Sequence, residues 1–358
     1  MNRYSRHIIL TEVGQEGQNK LLQAKVLVVG AGGLGCPVLQ YLAAAGIGTL
    51  GIIDYDSVEE SNLQRQVLFG TSSLGKNKAV AARERLQDLN STITIEDFPE
   101  QLTHKNATQL FEQYDFIVDG TDNFSTRYLI NDAAVLTNKP IVYGAIYKFE
   151  GQVSIFNYNN GPSYRCLFPI PPKDGSITNC SEVGVLGVLP GIIGTMMANE
   201  VIKMILGFEH VLSGKLLCYN SKTAALSTIK INRKQEEFEK VLAQPDLLSA
   251  YSNESCSVNV EEISEENLAV LTNIQFIDVR ELHEQPKLQL HNCIRIPLNM
   301  IKENIYQINS NKTIVLFCQS GIRSKKAVAL LMQNGFKKSY SFKGGILPLL
   351  NALKTKTT

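Results

Sequence analysis

The sequence predicts two α/β domains in tandem, the first built on a mainly parallel sheet. Three observations carry this. Short β-branched runs alternate with helical patterns through the first half of the chain, as strand–helix units of a parallel sheet do. A glycine-rich turn, Gly30-Ala31-Gly32-Gly33-Leu34-Gly35, sits where a strand hands over to a helix. A second strand-to-helix loop, Cys318-Gln319-Ser320-Gly321-Ile322-Arg323-Ser324, lies near the C-terminus beyond a polar stretch. The chain has 358 residues, which at roughly 150 residues per domain also gives two.

In chain order, strands are expected at Lys25–Val29, Thr49–Asp54, Thr92–Phe98, Phe116–Asp119 and Pro140–Gly144. Helical patterns fill the gaps at Leu34–Ala45, Asn77–Leu89, Ala107–Gln113 and Ser125–Thr137. After Glu150 the pattern changes. Gln152–Tyr158, Lys215–Tyr219 and Ala224–Ile231 read as an antiparallel extension, which makes the sheet mixed. Gly161 to Gly184 has little periodicity and many Pro, Gly and Ser residues, and a loop this long in a compact domain is usually functional. Val183 to Leu206 is strongly apolar but broken by Pro190, Asn199, Glu200 and Lys203, so it reads as a buried helix rather than a membrane span. From Asn232 to about Asn259 the chain turns polar and charged, which places a linker at 236–259 between domains at 1–235 and 260–358. Phe276–Val279 and Thr313–Phe317 are short buried strands, with helical patterns at Ser324–Asn334 and Ile346–Leu353.

The apolar fraction of 44% is ordinary for a globular protein. A net charge of +1 gives no electrostatic case for nucleic acid or membrane as the main partner. The N-terminal MNRYSRHIIL lacks the apolar core of a signal peptide. Seven scattered cysteines without a CxxC pair suit reduced thiols, so a cytoplasmic protein is expected.

The glycine turn lets backbone approach phosphate closely at a helix N-terminus, and Asp54, ending the second strand, stands where a carboxylate reaches ribose hydroxyls. These features alone also fit a nicotinamide-dependent oxidoreductase. Arg65 and Lys78 change the balance, because a triphosphate losing pyrophosphate builds charge that two further cations stabilise. Asp122, after the fourth main strand, lies at the carboxyl edge of the sheet, where a carboxylate suits Mg²⁺. The competing reading makes Arg65 and Lys78 solvated surface charges and Asp122 the cap of the helix that follows.

In this order and spacing, RYSRHIIL, GAGGLG, DYDSVEESNLQRQ, GKNKA and GTDN resemble the ThiF/MoeB/HesA family. These are ubiquitin-activating-like enzymes that adenylate the C-terminal glycine of a small β-grasp sulfur carrier. The resemblance covers about residues 1–231. It implies a Rossmann-like adenylation domain in which Gly33, Asp54, Asp56, Ser61, Asn62, Leu63, Gln64, Arg65, Lys78, Asp122 and Asn123 hold ATP, with Asp122 on its Mg²⁺. It further implies that Arg6 reaches the ATP of a second subunit in a homodimer; by spacing alone Arg6 is a helix surface charge. A glycine carboxylate is already ionised at neutral pH, so attack on the α-phosphate needs positioning and charge stabilisation but no general base.

Cys180, in Ile177-Thr178-Asn179-Cys180-Ser181, matches the family's active-site cysteine, which forms an acyl persulfide or thioester; unaided it reads as a small loop residue. Many relatives carry zinc on two CxxC pairs. Here Ser163-Tyr164-Arg165-Cys166 has serine at the first position, and no cysteine follows Ile231 until Cys256. Four thiolates are lacking, so no zinc site is expected and Cys166 reads as a remnant.

At the C-terminus, the loop after Thr313–Phe317 should turn N–H groups and a helix N-terminus toward Cys318, with Arg323 adding a full positive charge to a thiolate or persulfide. The Cys-x-x-Gly-x-Arg pattern resembles rhodanese sulfurtransferases, as do Phe276–Glu281, Arg295–Leu298 and Phe342–Ile346. The fused pair resembles the two-domain sulfurtransferase form of MoeB. The resemblance implies carrier adenylation with ATP and Mg²⁺, then sulfur transfer from a persulfide on Cys318, loaded by a persulfide donor, to give a carrier thiocarboxylate. A non-catalytic binding scaffold conflicts with Cys318, Arg65, Lys78 and Asp122 all being present. The carrier's pathway (molybdopterin, thiamine, tRNA thiolation, or cysteine or siderophore synthesis) stays open.

Overall fold

The computed structural model describes residues 3–172, 184–244, 260–282, 284–288 and 292–354, with backbone alone at 269, 322 and 354. The chain divides into two compact units, Met1–Ser252 and Asn253–Thr358.

The first unit is an eight-stranded sheet of order β3-β2-β1-β4-β5-β6-β7-β8. Its strands are β1 Lys25–Val29, β2 Thr49–Ile53, β3 Thr94–Phe98, β4 Phe116–Asp119, β5 Ile141–Tyr147, β6 Glu150–Phe156, β7 Lys215–Asn220 and β8 Ala225–Lys230. β1 to β5 pair in parallel, and β5 to β8 pair antiparallel. In β1, Val26 to Val29 are all buried, as expected of a parallel strand covered on both faces. Helices α1 Ser5–Ile8 and α2 Gly14–Gln23 precede the sheet. Next come α3 Gly35–Ala45, α4 Lys78–Leu89, α5 Ala107–Glu112, α6 Phe124–Leu136, α7 Tyr164–Leu167, α8 Val188–Leu206 and α9 Gln235–Ala243.

Strand order reverses between β1 and β4, the place where open α/β sheets bind ligands. The register makes that crevice level. Val29 pairs with both Ile53 and Asp119, so Gly30, Asp54 and Gly120 leave the sheet side by side. Helix α8 is long and apolar enough to cross a membrane, but its Leu189, Ile193, Met197, Val201 and Met204 are buried in the core against α3, β5 and β6.

Two expectations need correction. The stretch expected to begin the linker forms α9, whose Phe238 and Val241 are buried against α6. Its acidic and basic residues gave it a linker's composition, yet apolar residues three apart give it one buried face. Arg233 stacks on the Phe238 ring, with its Cζ 3.5 Å from the centroid. The long loop from Gly161 is also structured where it is described. Tyr164–Leu167 is helical, its first N–H is taken by Asn131 Oδ1, and Arg165 makes a buried two-point ion pair with Asp132.

The second unit is a five-stranded, all-parallel sheet of order β11-β10-β12-β13-β9. Its strands are β9 Glu262–Ile263, β10 Ile274–Asp278, β11 Cys293–Arg295, β12 Thr313–Phe317 and β13 Ser339–Phe342. Its helices are α10 Glu265–Val270, α11 Ile322–Gln333 and α12 Ile346–Lys354. Asp278 pairs with Phe317, which brings Val279 and Cys318 level at the carboxyl edge.

Truncating Phe238 to alanine should destabilise the full-length chain by about 3 kcal/mol, the ordinary cost of emptying a buried phenyl site. Urea titration monitored by circular dichroism measures it, and a linker residue would show no loss.

Candidate functional site

At the β1–β4 crevice, backbone contact sets the geometry. A side chain on Gly35 would come 1.9 Å from the Gly30 carbonyl oxygen, so only glycine lets α3 start this close to β1. A side chain on Gly120 would lie 3.0 Å from the same oxygen. Asp54 reaches back into the turn. One carboxylate oxygen accepts the Ala31 N–H at 2.8 Å and the other accepts the Asp56 N–H at 2.9 Å. Burial raises the Asp54 pKa, against the opposing pull of Lys78 and those two N–H groups.

The cations converge here. Lys78 opens α4, is buried along its stem, and places Nζ 3.0 Å from Asp56. The preceding Asn77 caps α4 and donates to the Asp54 carbonyl, which fixes where Lys78 leaves the backbone. Arg65 donates from Nη1 to the Ser61 carbonyl at 2.9 Å, and its Cγ lies 3.6 Å from where a Gly33 side chain would begin. Cys36, buried at the start of α3, has its thiol pushed up to about 12, chiefly by burial, and feels the charges of Lys78, Asp54 and Arg65. Asp54, through the Ala31 N–H, and Arg65, through its stem beside Gly33, flank the turn that leads into α3.

Asn62 is buried and closes a capping box with Glu59, so its side chain shapes the Glu60–Asn62 turn that carries Arg65. Ser61 bonds the Glu59 carboxylate, Leu63 packs on the core, and Gln64 is exposed with its carbonyl against Gly187. On the other side of the crevice, Asn123 rather than Asp122 caps α6, accepting the Thr126 N–H at 2.9 Å. Asp122 stays exposed. Burial raises the Tyr55 pKa, with smaller contributions from Asp56, Asp54 and Asp122.

Two residues that sequence reasoning passed over hold this loop. Asp119 accepts both the N–H and the hydroxyl of Thr121, and Arg127 donates to the Thr121 carbonyl. Asp119 follows an unbroken apolar run, and a charge at the end of a buried strand was the available signal. Arg6 is exposed on α1, next to exposed Ile9 and Leu10. Cys180 lies outside the described residues.

Cys166 is buried, and its sulfur accepts N–H groups from Ser163 and from Lys234, each at 3.3 Å. The thiol thus ties the α7 loop to the approach to α9. Among the described residues no group of three or more His, Cys, Asp or Glu is placed to hold a metal ion.

In the second unit, Cys318 is buried directly after β12. The Gly321 N–H donates to its sulfur at 3.1 Å, and the Ser324 hydroxyl lies 3.7 Å away. Gly321 has φ +96°, a left-handed turn that aims its N–H inward at the head of α11. The Ser324 hydroxyl also bonds the Gly321 carbonyl and Ser341. The sequence reading aimed Arg323 at the sulfur. Its guanidinium makes a two-point pair with Glu284, at 2.6 and 2.8 Å. Arg280, fully buried, pairs with Asp278 and reaches Pro286 and Gln319, so Glu284 and Pro286 are each tied toward the cysteine loop by an arginine.

A family model described as ThiF family matches residues 4–240, and one described as Rhodanese-like domain matches residues 261–351. The chain belongs to the ThiF family. It is 40% identical to a probable adenylyltransferase/sulfurtransferase MoeZ of Mycobacterium tuberculosis, over 96% of this chain and 91% of that one. It is 50% identical to a sulfur carrier protein adenylyltransferase of Thermus thermophilus, over 65% of this chain and 88% of that one. Among solved structures, E. coli MccB with MccA-N7isoASN matches at TM-score 0.58 and 25% identity, covering 65% of this chain and 72% of that chain. This ThiF-family chain is an enzyme, an adenylyltransferase joined to a sulfurtransferase unit.

Arg323 holds the Glu284 carboxyl below its ordinary value. The pair therefore adds stability that is complete above the unfolded value of 4.5 and is lost as pH falls through the lower folded value. In urea titrations of the full chain from about pH 5 to pH 3, Glu284→Gln should lose less stability than wild type. Parallel curves would show that the pair carries no pH-linked stability.

Proposed function

We propose that this enzyme adenylates the C-terminal glycine of a small β-grasp sulfur-carrier protein and then converts it to a thiocarboxylate with sulfur held as a persulfide on Cys318. One observation carries the reading: at the turn Gly30–Gly35, Asp54 holds the Ala31 N–H and the Asp56 N–H, buried Lys78 reaches Asp56, and Arg65 lies against Gly33. A hydride-transferring nicotinamide enzyme has no use for a buried lysine held by an exposed carboxylate there, whereas a triphosphate competes with Asp56 for Lys78.

The glycine carboxylate attacks the α-phosphorus, a C–O–P bond forms, and the bond to the β-phosphate breaks. Pyrophosphate leaves without any proton being moved. Arg65 and Lys78 take up the charge on the departing group. The Asp122 carboxylate, free of capping duty, fits Mg²⁺ bound with ATP, which would neutralise phosphate charge. The terminal sulfur of the Cys318 persulfide then attacks the acyl carbon and AMP leaves. A second thiol, for which Cys180 is the chain's own candidate, attacks the Cys318 sulfur, so that the thiocarboxylate leaves and a disulfide joins the two thiols; an outside dithiol reductant returns both to free thiols. An outside persulfide donor reloads Cys318.

A homodimer completes the reading, with Arg6 extended from α1 to the ATP of the partner and Ile9 and Leu10 supplying apolar contact. Free thiols at Cys36, Cys166, Cys218, Cys293 and Cys318 favour a reducing compartment, the cytoplasm.

Arg65→Ala or Asp122→Ala should lower carrier-dependent ATP–pyrophosphate exchange on the order of 100-fold with an unchanged circular dichroism spectrum. Full exchange activity in either variant would remove the site as drawn.

Cys318→Ala should keep that exchange while thiosulfate:cyanide sulfurtransfer and thiocarboxylate formation fall to background. Arg323→Ala should cost less, because the Gly321 N–H still faces the sulfur. Wild-type sulfur transfer by the Cys318→Ala enzyme would make the second unit a passive appendage.

A further inference from the structure

The loop that carries the reactive sulfur contains one cation near it, and that cation is already engaged. Arg323 stands between Gly321 and Ser324, which touch the Cys318 sulfur at 3.1 and 3.7 Å. Its Nη1 and Nη2 are both directed at the Glu284 carboxylate, at 2.6 and 2.8 Å. Glu284 is itself braced, since its Oε1 also accepts the Glu281 N–H at 2.8 Å. Beside it, Arg280 donates to the Gln285 and Pro286 carbonyls and to Gln319, the residue after Cys318. The carboxylate is thus held at the flank of the cysteine loop. Solutes can reach the pair, because 12% of the Arg323 side chain and 21% of the Glu284 side chain are exposed.

Neighbouring cations are matched in the same way. Arg280 and Arg295 share Asp278, and Lys325 of α11 meets Glu262 at 3.0 Å. Lys326 and Lys343 are exposed, where water and salt screen their charge. The groups that touch the sulfur are an N–H and a hydroxyl.

Two kinds of sulfur donor make different demands on such a loop. With thiosulfate, the Cys318 thiolate attacks the outer sulfur, the S–S bond breaks, and its electron pair leaves with sulfite. A dianion arrives and a dianion departs. With a persulfide R–S–SH, the thiolate attacks the outer sulfur, R–S⁻ takes the electron pair, and the proton stays on the new Cys318 persulfide. One negative charge is present throughout. A dianion gains most from the two parallel donors of a guanidinium, and here it must first displace a carboxylate that fills them. A persulfide has no such need.

We propose that Glu284 is a specificity-determining residue. By occupying the Arg323 fork it denies free dianions a subsite and leaves Cys318 to donors that carry their sulfur as a persulfide. This rests on Cys318 as the sulfur carrier of the proposed reaction.

The test follows the loading of Cys318 with one sulfur atom, by mass spectrometry of the full-length enzyme. Thiosulfate is compared with hydroxyethyl persulfide, whose only charge lies on its sulfur. In Glu284→Gln the ratio of the thiosulfate to the persulfide rate constant should rise roughly tenfold or more, the scale of one charged hydrogen-bonded contact. The gain should lie in thiosulfate half-saturation. A ratio cancels any loss of active enzyme to misfolding. Adding Arg323→Gln should abolish the gain, because the subsite is the guanidinium itself. Inorganic sulfate, an unreactive dianion, gives an arm that needs no variant: at fixed ionic strength it should not slow persulfide loading of wild type. An unchanged or lower ratio in Glu284→Gln would overturn the proposal, as would a gain that survives Arg323→Gln or sulfate inhibition of wild type. Equal acceleration with both donors would also overturn it, since that outcome marks Glu284 as a loop fastener alone. Loading of wild type by neither donor would instead remove the Cys318 reading, and the Glu284 role with it.

Discussion

The Asp54 carboxylate is the constraint on which the first site depends. It binds the Ala31 N–H in the glycine turn and the Asp56 N–H in the loop that positions Lys78. Burial outweighs Lys78 and both hydrogen bonds, so its pKa is raised above 3.8. A carboxylate with a raised folded value contributes less stability as pH rises through that value, and at neutral pH its ionisation is a net cost to the fold. Asp119, buried and likewise raised, behaves in the same way at the end of β4. The two acids terminate the strands on either side of β1, and each gives its oxygens to backbone that carries reactive groups. Stability is surrendered at the crevice to hold the crevice in shape.

That arrangement leaves the site's cations on short leads. Lys78 rests on Asp56, whose side chain is half exposed, and Arg65 rests on a carbonyl. Neither partner is a deeply buried counter-charge, so an incoming polyphosphate exchanges one weak, water-screened contact for several stronger ones. A lysine locked to a buried carboxylate would have to break a far stronger contact before it could serve.

Much of this was legible in the sequence, for identifiable reasons. β1 and β4 were placed to the residue, because parallel strands buried on both faces read as continuous apolar runs between polar ends. The glycine turn was legible because Gly35 answers to a backbone collision and Gly30 to a left-handed φ of +91°, both of which call for glycine. Helix α9 was not, since its charged outer face dominates its composition and its buried face amounts to Phe238, Val241 and a buried glutamate, Glu237. The choice between Asp122 and Asn123 as the cap of α6 could not be read from order alone, since both residue types cap helices and the decision lies in backbone angles. The Glu284–Arg323 pair joins residues thirty-nine apart, and no local pattern announces it.

The proposed reaction asks the two sites to hold anions of different charge, and the groups around them differ accordingly. A triphosphate undergoing cleavage carries several charges that shift during the reaction, so mobile cations and a metal suit it. A persulfide carries one charge on one sulfur. At Cys318 the Gly321 N–H points at the sulfur and α11 begins behind it, while the Arg323 fork is paired with Glu284. Fixed dipoles hold a single charge without reorganising and without presenting a free guanidinium to polyanions such as ATP. Glu284 thus holds the Arg323 charge in a two-point pair beside the cysteine loop, and the Gly321 N–H is the donor left facing the sulfur.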